Sequence, residues 1–213
     1  RLRRTIERGV PVGNGAHRDH SPTIDRHGRL KRRFTQMREG FESLQARRLA
    51  RSFGRLETKA VNQIGTLGGG NHFIELDRAD GGGLWLVVHS GSRHTGLVVS
   101  EIYRRLAKAY CAGVPEGTLL DLFLSYASGS AKRDNLAKIT EALTAAERTA
   151  ERRHGRSLPA DLSYLEGQLM SFYLQDMELM TRYADLNRRA IATEILEGMG
   201  LTDSVCDRFC TVH

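Results

Sequence analysis

The chain has 213 residues, 40% hydrophobic and 27% charged, with a formal net charge of +7. That is globular composition, with no apolar run of membrane-spanning length and no signal-peptide pattern at the start. Three cysteines do not suggest a disulfide scaffold and best fit a reducing, cytoplasmic setting. The charge is uneven: residues 1–60 carry 16 Lys and Arg against 6 Asp and Glu, while the rest carry 16 against 19. A basic first segment beside a glycine-rich loop favours a polyanionic partner, nucleic acid first; from charge alone a solvated, arginine-rich helix face accounts for it equally well.

Residues 1–29 open with Arg1, Arg3, Arg4 and Arg8 and pass into the turn-rich Val10-Pro-Val-Gly-Asn-Gly15, with His17, His20 and His27 on a loop. No metal site is assigned to these three histidines. Leu30, Phe34, Met37, Phe41 and Leu44 recur at alternating steps of four and three, one apolar face of a helix. Gln63-Ile-Gly-Thr-Leu-Gly-Gly-Gly70 follows. Three consecutive glycines weaken a fold unless the backbone must turn tightly or approach a ligand.

Strands are expected over His72–Leu76 and Leu84–His89, joined by a turn at Asp80-Gly-Gly-Gly83. Alternation puts Asn71, Phe73 and Glu75 on one face and His72, Ile74 and Leu76 on the other. A helix starting near Ser92, with Leu97, Val98, Ile102, Leu106 and Tyr110 at helical spacing, directs its first N–H groups toward the histidines and suits an anion. A turn at Val114–Gly117, an apolar element over Leu119–Tyr126 and an Ala-rich helix over Ser130–Arg153 come next. A long helix opening at Leu158-Pro-Ala-Asp161 has a buried stripe that includes Tyr183, Asn187, Ile191 and Ile195, and it stops at Gly198 and Gly200. Val205–His213 reads as a final strand ending in a histidine.

His72 and His89, on adjacent strands, suit a divalent metal if a third ligand joins them. Cys206-x3-Cys210-x2-His213 lacks the second cysteine pair of a closed zinc site. His213 remains a candidate ligand there, and the two cysteines read as small buried hydrophobes. A Rossmann fingerprint is disfavoured because a strand, not a helix, follows the glycines. P-loop, serine-nucleophile and cysteine-nucleophile motifs are absent.

Gly65-Thr-Leu-Gly-Gly-Gly-Asn-His-Phe-Ile-Glu75, Val88-His-Ser-Gly-Ser-Arg93, Tyr183-Ala-Asp-Leu-Asn-Arg188 and the terminal His213 together resemble the RtcB-type RNA-splicing ligases. The Gly-Asn-His-Phe-Ile-Glu run is the specific part, and the Asn187-Arg188 pair is a weaker support. The resemblance implies a mixed α/β (α+β) fold whose strands carry the metal site among surrounding helices, as one catalytic domain over 1–213 that is incomplete at both ends. It implies joining of RNA 2′,3′-cyclic phosphate or 3′-phosphate ends to 5′-hydroxyl ends, with GTP, two Mn2+ ions per site and a guanylylated histidine. His72, His89 and His213 are then metal ligands. Asn71, His72, Phe73, Ile74 and Glu75 line the nucleotide, and Arg93 meets an RNA or nucleotide phosphate. RNA is the implied partner, with an archease-like activator as a further one.

Two family motifs have no counterpart here. The Asp-x-Gly-Cys-Gly-Met motif is expected before Arg1, and the His-Gly-Ala-Gly-Arg motif holding the guanylylated histidine is expected beyond His213. Ser92-Arg-His-Thr-Gly96 also departs from the family's Gly-Ser-Arg-Gly-Leu/Ile-Gly, placing the bulkier His94 and Thr95 beside the site. The alternatives are a paralogue acting as an RNA-end repair enzyme or cyclic phosphodiesterase, and a non-catalytic basic RNA-binding module.

Overall fold

A computed structural model of the chain describes residues 1–46, 53–121, 135–154, 162–202, 205 and 208–211. In chain order the elements are α1 (Leu2–Gly9), α2 (Pro22–Arg26), α3 (Gly28–Ser43), α4 (Phe53–Gln63), β1 (Phe73–Arg78), β2 (Leu84–His89), α5 (Arg93–Cys111), α6 (Asn135–His154) and α7 (Gly167–Met199). Seven helices and one two-stranded antiparallel sheet among the described residues make the mixed α+β class expected. Among the described residues no helix is long and apolar enough to cross a membrane.

The chain groups into two compact units. One holds Arg1–Glu39, Glu57–Thr95 and Met180–His213; the other holds Gly40–Leu56 and Gly96–Leu179. In the first, Val10, Leu67, Ile191 and Ile195 form a buried cluster against which Leu2, Ile6, Ile74, Leu86, Val88 and Met199 pack. The sheet register pairs Phe73 with His89, Ile74 with Val88 and Leu76 with Leu86. One face of the hairpin thus lies on the core, while Phe73 and Glu75 are exposed. The alternation read from the sequence holds for Phe73, Ile74 and Glu75 but not for Leu76, which is exposed although alternation puts it on the face of Ile74.

In the second unit Tyr103, Leu106, Leu119, Leu143 and Leu169 are buried. Asp176, also buried, accepts hydrogen bonds from the backbone N–H groups of Gln45 and Ala46 and from the Tyr103 hydroxyl, each at 2.7 Å.

The expected α3 stripe is buried along its length, from Leu30 to Leu44. α7 ends as expected: Gly200 takes φ +73, its N–H reaches Glu197 O at 2.9 Å, and the Leu201 N–H reaches Leu196 O at 2.8 Å. Those two bonds make a Schellman cap, which a left-handed glycine permits.

Several expectations are corrected. The turn-rich segment that carries His17, His20 and His27 is not all loop, because α2 lies within it, and α1 precedes it. α1 is too short for periodicity to show, and it is held by Leu2 and Ile6 against the core; α2 starts on Pro22, whose fixed φ suits a first helical turn. α7 begins at Gly167, not near Leu158. Its first N–H groups, from Gln168 and Leu169, are bonded by the Glu116 carboxylate at 2.7 and 3.3 Å, a cap supplied from 52 residues away. α5 forms, but its buried face is Val99, Ile102, Tyr103 and Leu106, and Leu97 is exposed. The described residues of the last segment, 205 and 208–211, form no strand, and Cys210 is exposed. His213 and Cys206 lie outside the described residues, as do 122–126 of the apolar element and 130–134 of the Ala-rich helix.

Candidate active site

The first unit brings two loops together: residues 64–72 before β1, and Ser90–Gly91 between β2 and α5. A third segment, Val10–Gly15, runs along the first of these. The Leu67 N–H bonds Pro11 O at 2.9 Å, and the Gly13 N–H bonds Gly68 O at 2.7 Å. Beneath them, His17 Nε2 lies 3.4 Å from Gly65 O, and burial lowers its pKa from the ordinary histidine value. His20 pairs with Asp25 at 2.8 Å and His27 with Glu197. All three N-terminal histidines thus have structural partners.

The loops are joined by Asn187, a fully buried residue of α7. Its Oδ1 accepts the N–H groups of Gly65 at 2.8 Å and Thr66 at 3.2 Å. Its Nδ2 donates to Ser90 Oγ at 3.0 Å, Thr66 O at 3.2 Å and Gly91 O at 3.3 Å. Ser90 Oγ donates onward to Leu67 O at 2.8 Å, and Arg188 Nη1 donates to Ser90 O at 2.9 Å. An unpaired buried polar group costs about 1–3 kcal/mol, so this amide, which uses both its acceptor and its donors, fixes the spacing of the two loops.

Arg93 sits at the start of α5 with φ +57, the one non-glycine residue with positive φ among those described. For an arginine that conformation is strained and persists only when its surroundings impose it. Here Nε donates to Thr66 Oγ1 at 3.0 Å and Nη2 donates to Gly13 O at 2.7 Å. Burial lowers the guanidinium's pKa, with a smaller opposing influence from Tyr183. Gly68, at φ +97, passes so close that a Cβ there would overlap both Arg93 Nη1 and His72 Nδ1. The glycine run is therefore explained in part by close backbone approach to these two side chains.

His72 and His89 meet at the shared end of the hairpin, ring centroids 6.1 Å apart. His89 stacks on Phe73 at 5.0 Å with the ring planes 4° apart. His72 Nδ1 is buried with no hydrogen-bond partner. Burial first, then Arg93 and His89, lower the His72 pKa, which favours the neutral imidazole with a free lone pair. Neutral, partly buried imidazoles fit a divalent transition metal. Among the described residues no group of three or more His, Cys, Asp or Glu side chains that could hold a metal ion is found.

The other expected site residues divide. Asn71 lies exposed in the turn before β1, with Phe73 and Glu75 on the exposed face beyond it, whereas Ile74 packs on the core cluster. Thr95 is buried and its hydroxyl oxygen has no partner, while His94 is exposed. The sequence reading assigned no role to Pro11, Gly13 or Thr66. Their parts are played largely by backbone atoms, which leave no mark on residue type.

A family model described as tRNA-splicing ligase RtcB matches residues 1–204. The chain belongs to the RtcB family. Among curated proteins, the RNA-splicing ligase RtcB of Escherichia coli K12 is 30% identical over 111 residues, covering 50% of this chain and 26% of the relative. RNA-splicing ligase RtcB1 of Escherichia coli ATCC 25922 gives the same figures. RtcB2 of that strain is 39% identical over 71 residues, covering 27% of this chain and 18% of the relative. The aligned part of the chain thus spans about a quarter or less of the length of these relatives. No solved structure matches the chain.

Proposed function

We propose that this RtcB-family chain supplies the phosphate- and metal-binding floor of a ligase. That ligase joins RNA 2′,3′-cyclic phosphate or 3′-phosphate ends to 5′-hydroxyl ends, using GTP and two Mn2+ ions per site. The observation that carries the reading is the partnerless Nδ1 of His72, buried beside His89 and Arg93. In this reading His72 and His89, with His213, hold manganese. Asn71, His72, Phe73, Ile74 and Glu75 border the nucleotide, and Arg93 meets a phosphate. Bound manganese would neutralise charge developing on phosphoryl oxygens as the linkage is exchanged.

The chain's own residues supply the rest. Burial keeps His72 neutral, so no proton must leave before its lone pair is used. Arg93, fixed at two points, offers its remaining N–H groups and a positive charge without reorganising, the property that makes a preorganised cation effective at a phosphoryl centre. Asn187 and Gly68 keep the loops at the separation that brings His72 against Arg93. RNA is the partner in this reading, and an archease-like activator is a further one.

The test uses the full-length protein, with RNA ends carrying a 3′-phosphate or cyclic phosphate and a 5′-hydroxyl. GTP- and manganese-dependent joining, abolished by His72→Ala, is expected. Opening of the cyclic phosphate without joining would favour the repair-enzyme alternative. Salt-sensitive RNA binding indifferent to GTP, metal and end chemistry would favour the non-catalytic one.

A further inference from the structure

Ser90, at the edge of the site, is the first link in a polar chain leading away from it. Arg188 donates to Ser90 O at 2.9 Å and, through Nη2, to Cys210 Sγ at 2.9 Å. Cys210 in turn helps to lower the pKa of Asp185. Asp185 accepts Arg189 Nε at 2.8 and 2.9 Å and Arg33 Nη1 of α3 at 2.6 Å. One carboxylate therefore serves Arg33 and Arg189, with Arg188 beyond it, and the strip has a surplus of positive charge. Burial acts against the Asp185 carboxylate, but Arg189, Cys210 and Arg33 together hold it below its ordinary value, so it stays ionised between the arginines.

The strip continues on α3. Arg29 and Arg32 are exposed and stand four and one residues before Arg33, with Arg29 and Arg32 themselves at i,i+3. Neither has a carboxylate partner among the described residues. Like charges at i,i+3 and i,i+4 destabilise a helix by a few tenths of a kcal/mol per pair, so their juxtaposition works against α3 unless an external anion lies across them. Guanidinium groups also match phosphate geometry through paired N–H donors.

We propose that the arginine strip from Arg188 through Arg189 and Arg33 to Arg29 and Arg32 binds the phosphodiester backbone of the RNA strand whose end lies in the site. The inference rests on the RNA-end reading above and adds the path the strand takes away from the reacting end. Phosphate contacts of this kind position a strand without reading its sequence. They also add salt dependence, with a slope of about 0.7 for each phosphate neutralised on a single strand.

The test is the double variant Arg29→Glu, Arg32→Glu of the full-length protein, with Arg29→Lys, Arg32→Lys as the charge-conserving control. Both positions are exposed and outside the catalytic groups. The readouts are anisotropy titrations of a 3′-phosphorylated single-stranded RNA over a range of salt, and KM and kcat for joining. The Glu variant is expected to bind RNA about tenfold more weakly, with the salt slope shallower by roughly 1 to 2. KM should rise with kcat unchanged, and the Lys variant should retain most of the affinity. Unaltered RNA affinity and salt slope in the Glu variant would overturn the proposal. If RNA binding falls as expected but the wild-type protein joins no ends, the strip stands and the ligase reading fails. Absence of RNA binding by the wild-type protein overturns both.

Discussion

α7 carries two buried polar residues eleven positions apart, each serving a different unit, and the contrast between them shows how side-chain chemistry is matched to task. Asp176 meets donors only: two backbone N–H groups and a phenol. A carboxylate, with acceptor capacity on both oxygens and no proton to place, satisfies all three. Asn187 meets donors on one side and acceptors on the other, so only an amide satisfies it. The first fastens residues 45–46 and α5. The second sets the distance between the loops that hold His72, Arg93 and Ser90. A charge is tolerated where the task is anchoring; beside the candidate metal ligands the fastening is neutral and leaves the local field to Arg93 and the histidines.

Exchanging the two chemistries is the strongest way to break the comparison. Asn187→Asp removes every donor and buries a carboxylate against Ser90 Oγ and two carbonyls, so unfolding free energy should fall by about 3–5 kcal/mol, read by urea denaturation. Asp176→Asn turns one donor-facing atom into an N–H and should cost about 2–3 kcal/mol, while manganese affinity is retained as long as the chain is folded. If the two exchanges affected metal binding equally, the division of labour would be refuted.

Gly68→Ala comes next. Its Cβ would overlap Arg93 and His72, and the residue must keep φ +97, so a loss of roughly 2 kcal/mol is expected, with RNA joining reduced more than stability alone accounts for. Tyr103→Phe removes one of Asp176's three donors and should cost about 1 kcal/mol without touching joining.

The comparison also has a pH signature. Burial raises Asp176 above its ordinary value of 3.8, against the lowering influence of its three hydrogen bonds. Between 3.8 and the raised folded value, the folded chain holds a proton that the unfolded chain has lost. The contribution is therefore fully present below 3.8 and declines as pH rises through the folded value. Asn187 does not titrate and adds no such slope. Urea unfolding across acidic pH should show that slope in the wild type and its loss in Asp176→Asn; equal slopes would contradict the assignment.

Much of this was legible in the sequence where a period carried it. The α3 stripe, the hairpin with its Asp80–Gly83 turn and the Gly200 stop of α7 follow from spacing and turn chemistry. So does the gathering of His72, His89 and Arg93 around a glycine loop. What was not legible depends on partners distant along the chain. The start of α7 is set by Glu116, α1 is held by two apolar residues on a core that other segments build, and the buried face of α5 is turned away from Leu97. The stripe on α7 placed Asn187 inside, but its partners are mostly backbone atoms of residues that any sequence would supply. Cys210 reads by type as a small buried hydrophobe, but it is exposed, with Arg188 Nη2 donating to its sulfur at 2.9 Å.

The central claim is that the joined loops present His72, beside His89, as a metal ligand. Calorimetric titration of the full-length protein with Mn2+, wild type against His72→Ala, tests it most directly. The account predicts that affinity falls at least about tenfold or that one binding event disappears, with the fold retained. Unchanged affinity and stoichiometry in the Ala variant would contradict it.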